Sequence, residues 1–248
     1  MQMSFFRFLR QTICIALSCS AGLALLAGCE DNDGDGVTDM DATIESLKAQ
    51  STSSKTTTNK TSTTVYPQSY LFPDGLHPNE LGDQIIAAAF NDKVAKKPTN
   101  IGNNFSNTIV CIGDSITESG YPPYLAKMSG KKCINAGIGG SNTGSGAGRV
   151  DSLLTSYKPA YLCVLYGAND VIQGKPASYT IDNLKYMCNA AKNRQTIPLL
   201  ATLTPMSGKK YGKYNKTVQS LNQQIRSLAK SSGYKLVDLE KEFYYISK

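Results

Sequence analysis

The only histidine among 248 residues, His77, sits in the stretch Asp74-Gly75-Leu76-His77-Pro78-Asn79. A serine nucleophile working near neutral pH needs a base that titrates there, and imidazole is the side chain that does so unperturbed. Serine chemistry in this chain therefore has a single candidate base. Asp74 lies across a glycine that lets the backbone turn sharply, so its carboxylate can be aimed at the imidazole Nδ1–H, fixing the tautomer and stabilising the imidazolium. The candidate nucleophile is Ser115, in Gly113-Asp114-Ser115-Ile116-Thr117, directly after the apolar run 108–112. A buried parallel strand delivering a serine at its C-terminal end is where open α/β folds place their chemistry. A helix beginning at Ser115 would turn its amides toward an arriving anion.

Acyl transfer also needs N–H donors where negative charge develops on the attacked carbonyl oxygen. Two further segments offer them: Gly137-Ile138-Gly139-Gly140 after the run 133–136, and Gly167-Ala168-Asn169-Asp170 after the run 161–166. Alone, the second reads as a turn and the first as a phosphate cradle; beside Ser115 and His77 they read as donors. Runs at 197–203 and 235–239 bring the predicted strands to five. Helices are predicted at about 79–94, capped by Asn79 with Leu81, Ile85 and Ala89 as the inner stripe, and at about 121–128, 149–156, 181–194 and 213–231. Strand and helix alternate, which predicts an α/β protein with a parallel sheet covered on both faces.

The four blocks, Gly113-Asp114-Ser115, the glycine loop 137–140, Gly167-x-Asn169-Asp170 and Asp74-x-x-His77, together resemble the signatures of the GDSL, or SGNH, serine hydrolase family. The similarity spans roughly residues 70–248. The resemblance implies a three-layer α/β/α sandwich of flavodoxin-like type with a five-stranded parallel sheet. It implies Ser115 as nucleophile, His77 as base and Asp74 as its orienter. The Ser115 N–H, the Gly140 N–H and the Asn169 side chain would be the oxyanion donors, with Gly139 and Gly137 close enough to blur the glycine match. One feature departs from the family. Its Asp-x-x-His block usually follows the last strand, whereas here it precedes Ser115. Circular permutation accounts for this, with the old ends joined through the 96–107 loop and new ends opened between 248 and 70. Triad geometry does not depend on chain order.

Ahead of the domain, Arg7 and Arg10 precede an apolar run from 12 to 27 that ends Leu26-Ala27-Gly28-Cys29. Residues 1–28 read as an export leader and resemble the bacterial lipoprotein signal, which implies lipidation of Cys29 and a membrane-anchored location on the periplasmic or cell-surface side. An uncleaved anchor or a plain secretory signal fits the same residues. Residues 29–42 hold Asp31, Asp33, Asp35 and Asp39 around Gly36, the spacing of an EF-hand-type calcium loop. Ala42 stands where the last carboxylate belongs, so a weak calcium site at 31–41 and an acidic solvated spacer fit equally. Residues 43–69, rich in Ser, Thr and Lys, form a linker, and 70–248 the hydrolase domain.

The formal net charge of +7 is spread over scattered lysines with no aromatic-interleaved basic stripe, which argues against a nucleic-acid partner. Cys111, Cys133, Cys163 and Cys188 read as buried free thiols. The expected function is hydrolysis of short acyl esters, acetyl foremost, of extracellular carbohydrate or small-molecule substrates, through an acyl-enzyme and without a cofactor. A lysophospholipase, thioesterase or acyltransferase would use the same fold. A calcium-dependent cell-surface binding module with an inactive site, and a nucleotide binder using 144–148, are the rivals of other classes.

Overall fold

The computed structural model of the chain describes residues 74–94 and 106–246. The leader 1–28, Cys29, the acidic segment with Asp31, Asp33, Asp35 and Asp39, and the linker 43–69 lie outside the described residues. Five parallel strands, β1 (Ser106–Gly113), β2 (Lys132–Gly137), β3 (Pro159–Leu165), β4 (Ile197–Ala201) and β5 (Lys235–Val237), pair in the order β2-β1-β3-β4-β5. The chain runs outward from β1 to β2 and then returns to the other side at β3. In open α/β sheets such a reversal is where chemistry is placed, at the C-terminal ends of the strands on either side of it. All seven β3 residues are buried, as a central strand covered on both faces requires.

The helices are α1 (Glu80–Lys93), α2 (Ser115–Glu118), α3 (Pro122–Ser129), α4 (Thr143–Tyr157), α5 (Ala168–Ile172), α6 (Ala177–Asn193), α7 (Gly208–Tyr211), α8 (Asn215–Ser232) and α9 (Leu239–Ile246). On one side α4 packs on β1 and α6, α6 on β3, β4 and α8, and α8 on β4 and β5. On the other α1 packs on α3, α9 and β5, and α3 on β2. The three-layer α/β/α arrangement follows. Among the described residues no helix is long and apolar enough to cross a membrane. The four described cysteines are free thiols, Cys111, Cys163 and Cys188 being buried and Cys133 half-buried.

Several elements depart from the sequence expectation for reasons of packing. Asn79 caps α1 as predicted, its Oδ1 accepting from Gly82 N at 3.0 Å. The buried stripe is rotated by a residue, however: Ile86, Ala87 and Phe90 face inward and Leu81 is 37 % exposed. Phe90 stacks on Tyr121 with ring centroids 4.9 Å apart, and burying a phenyl ring outweighs burying one leucine near a helix end. Helix α4 starts at Thr143, not near 149, so Gly144 to Gly148 lie inside a helix rather than in a loop. A Cβ on Gly146 would come within 2.6 Å of Tyr166 Cε2, so this glycine serves a close helix-to-sheet approach. Leu239, expected to end β5, instead opens α9, whose Leu239 and Phe243 are buried.

Candidate active site

The loop that carries His77 is built on Asp74. Its Oδ1 accepts from Leu76 N at 2.9 Å and His77 N at 3.2 Å, an Asx-type turn that closes the backbone on itself. Its Oδ2 accepts from His77 Nδ1 at 2.7 Å. Gly75 adopts φ +73°, and a Cβ there would lie 2.2 Å from Ser207 O. The same approach lets Gly75 O accept from Ser207 N at 2.8 Å, pinning the loop to the segment after β4. Burial pushes the Asp74 carboxyl upward, but the Leu76 N–H, the His77 ring and the His77 N–H together outweigh it and hold the group below the usual carboxylate range. Asp74 is therefore an anion at neutral pH, and its acceptor-only oxygens assign the imidazole proton to Nδ1.

That tautomer leaves His77 Nε2 as an acceptor, and Ser115 Oγ lies 2.8 Å from it across 38 residues of chain. Ser115 is carried at the end of β1 on the single helical turn α2, which Asp114 caps by accepting from Ile116 N at 3.1 Å. Burial pushes the Asp114 carboxyl up to about 7, with nearby Asp170 adding to the shift and the Ile116 N–H and His77 opposing it.

The glycine loop resolves once each amide is followed to its acceptor. Gly137 N donates to Asn135 Oδ1 at 3.0 Å, Ile138 N to Gly113 O at 3.0 Å, Gly139 N to Glu118 Oε2 at 3.1 Å and Ser141 N to Ile138 O at 3.2 Å. Gly140 N is the amide of this turn that meets no acceptor among the described residues, and Ser115 N likewise meets none. Asn169 Nδ2 donates to Ser141 O at 2.9 Å, which fixes the amide plane and leaves its second N–H to spare. Asp74, His77 and Ser115 thus meet as the spacing predicted, with the free donors of Ser115, Gly140 and Asn169 on neighbouring strand ends.

Sequence reasoning gave no role to four supporting residues. Glu118 takes the Gly139 amide, Ser141 holds Asn169, Ser207 anchors Gly75, and fully buried Asp170 accepts from Thr143 N at 3.0 Å and from the Thr143 hydroxyl, tying the end of β3 to the start of α4. Each acts through a backbone group, which leaves no pattern in residue spacing. Among the described residues no group of three or more His, Cys, Asp or Glu could hold a metal ion.

Fold and site together define a serine hydrolase of the α/β type, with the hydroxyl at a strand end and imidazole, carboxylate and N–H donors around it. The chain belongs to the GDSL-like Lipase/Acylhydrolase family, which its residues 111–245 match. It is 28 % identical over 120 residues to the esterase TesA of Pseudomonas aeruginosa, a match covering 43 % of this chain and 60 % of that protein. Among solved structures it is similar to a GDSL-like lipase from Bacteroides thetaiotaomicron (23 % identity, 64 % of this chain and 78 % of that one, TM-score 0.49). It is also similar to the acetyl xylan esterase AlAXEase (22 % identity, 55 % and 79 %, TM-score 0.49).

Proposed function

We propose that the protein is a serine ester hydrolase that removes short acyl groups, acetyl foremost, from extracellular carbohydrate or small-molecule esters. The observation that carries this reading is the unbroken hydrogen-bonded run from Asp74 through His77 to Ser115, at 2.7 and 2.8 Å. Ser115 Oγ attacks the ester carbonyl carbon while its proton passes to His77 Nε2, and Asp74 steadies the imidazolium. Charge on the carbonyl oxygen is met by the N–H groups of Ser115, Gly140 and Asn169. Collapse breaks the carbon–oxygen bond, His77 gives its proton to the departing alcohol, and the acyl group stays on Ser115. Water then attacks with His77 again as base, releasing the acid and restoring the serine hydroxyl. Both steps are complete with these residues.

Polar side chains around the donor turn support a polar leaving group. Glu118 is exposed there, and Asn142 Nδ2 donates to Gln173 Oε1 at 2.9 Å on the surface. Ile138, 47 % exposed on the same turn, favours a longer acyl chain as the second reading. The test is hydrolysis of p-nitrophenyl esters of increasing chain length and of acetylated glycans, with and without a sugar acceptor to expose acyl transfer. Ser115→Ala should lose nearly all turnover and all fluorophosphonate labelling at an unchanged unfolding midpoint. Turnover that survives this substitution would sink the reading.

The chain order is read as a circular permutation. The family match begins at Cys111, with Asp74 and His77 N-terminal to it. Support also comes from α1 packing on β5 and α9, with Lys235 Nζ donating to Lys93 O at 3.2 Å. An Asp-x-x-His relative with the block after its last strand, superposing poorly on residues 74–94, would count against it. The lipoprotein-like leader supports export and anchoring through Cys29, with Asp31, Asp33, Asp35 and Asp39 as a weak calcium loop beside the anchor. Failure of Cys29 to take up labelled palmitate, or of the 31–41 segment to bind calcium in titration, would remove the respective assignment.

A further inference from the structure

Beneath the donor turn runs a line of side chains that the acyl-transfer scheme leaves unused. Arg149, in the second turn of α4, is half-buried, and among the described residues its guanidinium meets no carboxylate. Its Nη2 donates to Gly113 O at 3.2 Å and to Tyr166 OH at 2.7 Å, while its Nε is buried without an acceptor. A part-buried cation without an anion is costly, so the position asks for a reason.

The direction of the hydrogen bonds supplies one. Arginine only donates, so Tyr166 OH accepts from Arg149 and turns its own proton to Ser141 Oγ, 2.9 Å away. Ser141 Oγ in turn donates to Ile138 O at 2.6 Å, closing the turn that displays the Gly140 N–H. The Ser141 carbonyl is the acceptor that orients Asn169. Gly113 O, the other acceptor of Arg149, also receives Ile138 N at 3.0 Å. One guanidinium therefore grips the end of the strand that delivers Ser115 and, through Tyr166, the turn that sets two of the three donors. The absent side chain at Gly146 lets the Tyr166 ring lie against α4, with the guanidinium carbon 6.0 Å from the ring centroid.

We propose that Arg149 is a positioning residue for the oxyanion donors, acting through Tyr166 and Ser141, and that its uncompensated charge favours the negative oxygen of the transition state. The inference rests on the acyl-transfer reading of Ser115. A run of polarised hydrogen bonds is stiffer than its separate members, which is what preorganised donors need.

The test is steady-state hydrolysis of p-nitrophenyl acetate by the full chain and by Arg149→Met, Arg149→Lys and Tyr166→Phe. Rates are expressed per reactive serine, counted by exhaustive fluorophosphonate labelling. Removing a whole oxyanion donor costs a serine hydrolase about 100- to 1,000-fold in kcat, so misaligning donors should cost part of that. Arg149→Met is expected to lower kcat per reactive serine about 30-fold with KM within about twofold, Tyr166→Phe about tenfold, and Arg149→Lys to fall between Arg149→Met and wild type. The double variant Arg149→Met/Tyr166→Phe should be no more than about twofold worse than Arg149→Met, since both cut one line. A purely structural role would lower the number of reactive serines and leave the rate of each unchanged, which overturns the proposal. Full activity in Arg149→Met or in Tyr166→Phe also overturns it while the esterase reading stands. A wild-type chain inert to both ester and probe overturns the two together.

Discussion

Asp83 offers a prediction whose sign and size both come from the structure. It lies on the first turn of α1, shortly after His77, and is only 8 % exposed. Its Oδ1 meets no partner among the described residues. Both that oxygen and Ile116 O crowd Gly120, where a Cβ would sit 2.5 and 2.3 Å from them. Burial, with the charge of Glu80 adding to it, pushes the carboxyl from 3.8 up to about 7. In the unfolded chain the proton leaves near the ordinary value, whereas the folded protein keeps it until about pH 7. Between those limits the folded state holds more protons, so stability falls as pH rises and levels off above 7. Carried in full, that gap is worth about 4 kcal/mol; solvent reaching the helix surface screens it, and about 2 kcal/mol is the figure to test. Asp83→Asn keeps the shape and cannot ionise. Urea unfolding followed by circular dichroism at about pH 4.5 and about pH 8.5 should therefore find the variant gaining on wild type by about 1.5 kcal/mol over that interval. Parallel pH profiles, agreeing to within about 0.5 kcal/mol, would refute the claim that this carboxyl is desolvated at the α1–α2 contact.

Gly75→Ala forces a side chain into left-handed backbone, worth about 1 kcal/mol, and drives a methyl toward Ser207 O at 2.2 Å. The His77 loop must lift, so kcat should fall at least about tenfold with a small change in unfolding midpoint; unchanged kcat would mean the loop is not pinned. Arg226 joins α8 to the β5–α9 junction through Asp238 at 2.7 Å and Glu240 at 2.7 Å. Arg226→Met should cost about 2 kcal/mol at neutral pH, read by urea unfolding. Although burial alone would raise it, the Arg226 contact holds the Asp238 carboxyl low. The stabilisation is then present above the ordinary carboxylate value and lost as pH falls through the lowered one, so the two proteins should converge in acid.

What could be read in the sequence was whatever chemistry or burial leaves no choice about. A lone histidine fixed His77 as the base to consider, and the carboxylate able to reach its Nδ1 was the one across Gly75. Strand β3 was legible because a strand buried on both faces must be apolar throughout. Gly140 came from the resemblance, and what leaves its N–H free is Glu118 reaching Gly139 from the turn after Ser115, a contact no local pattern encodes. The misses share a different cause. The start of α4 was hidden because three glycines argue against a helix that packing on Tyr166 and Met187 nevertheless imposes. The rotation of α1 was set by the Phe90–Tyr121 stack, a choice made by the partner rather than by the helix.

The hydrogen bond between His77 and Ser115 spans two parts of the chain that no described strand pairing connects. The loop 74–79 that carries the base is held by the Asp74 turn and the backbone bond from Ser207 to Gly75, whereas α1 behind it is anchored in the core by Ile86, Ala87 and Phe90. Local opening draws on such edge attachments well before a paired sheet gives way. Mild denaturant or heat would therefore silence the enzyme while its spectroscopic signature stays almost native, and dilution would bring turnover back at the speed of a small docking event. Catalytic output in this protein is a gauge of how firmly one short loop is latched, read independently of the sheet beneath it.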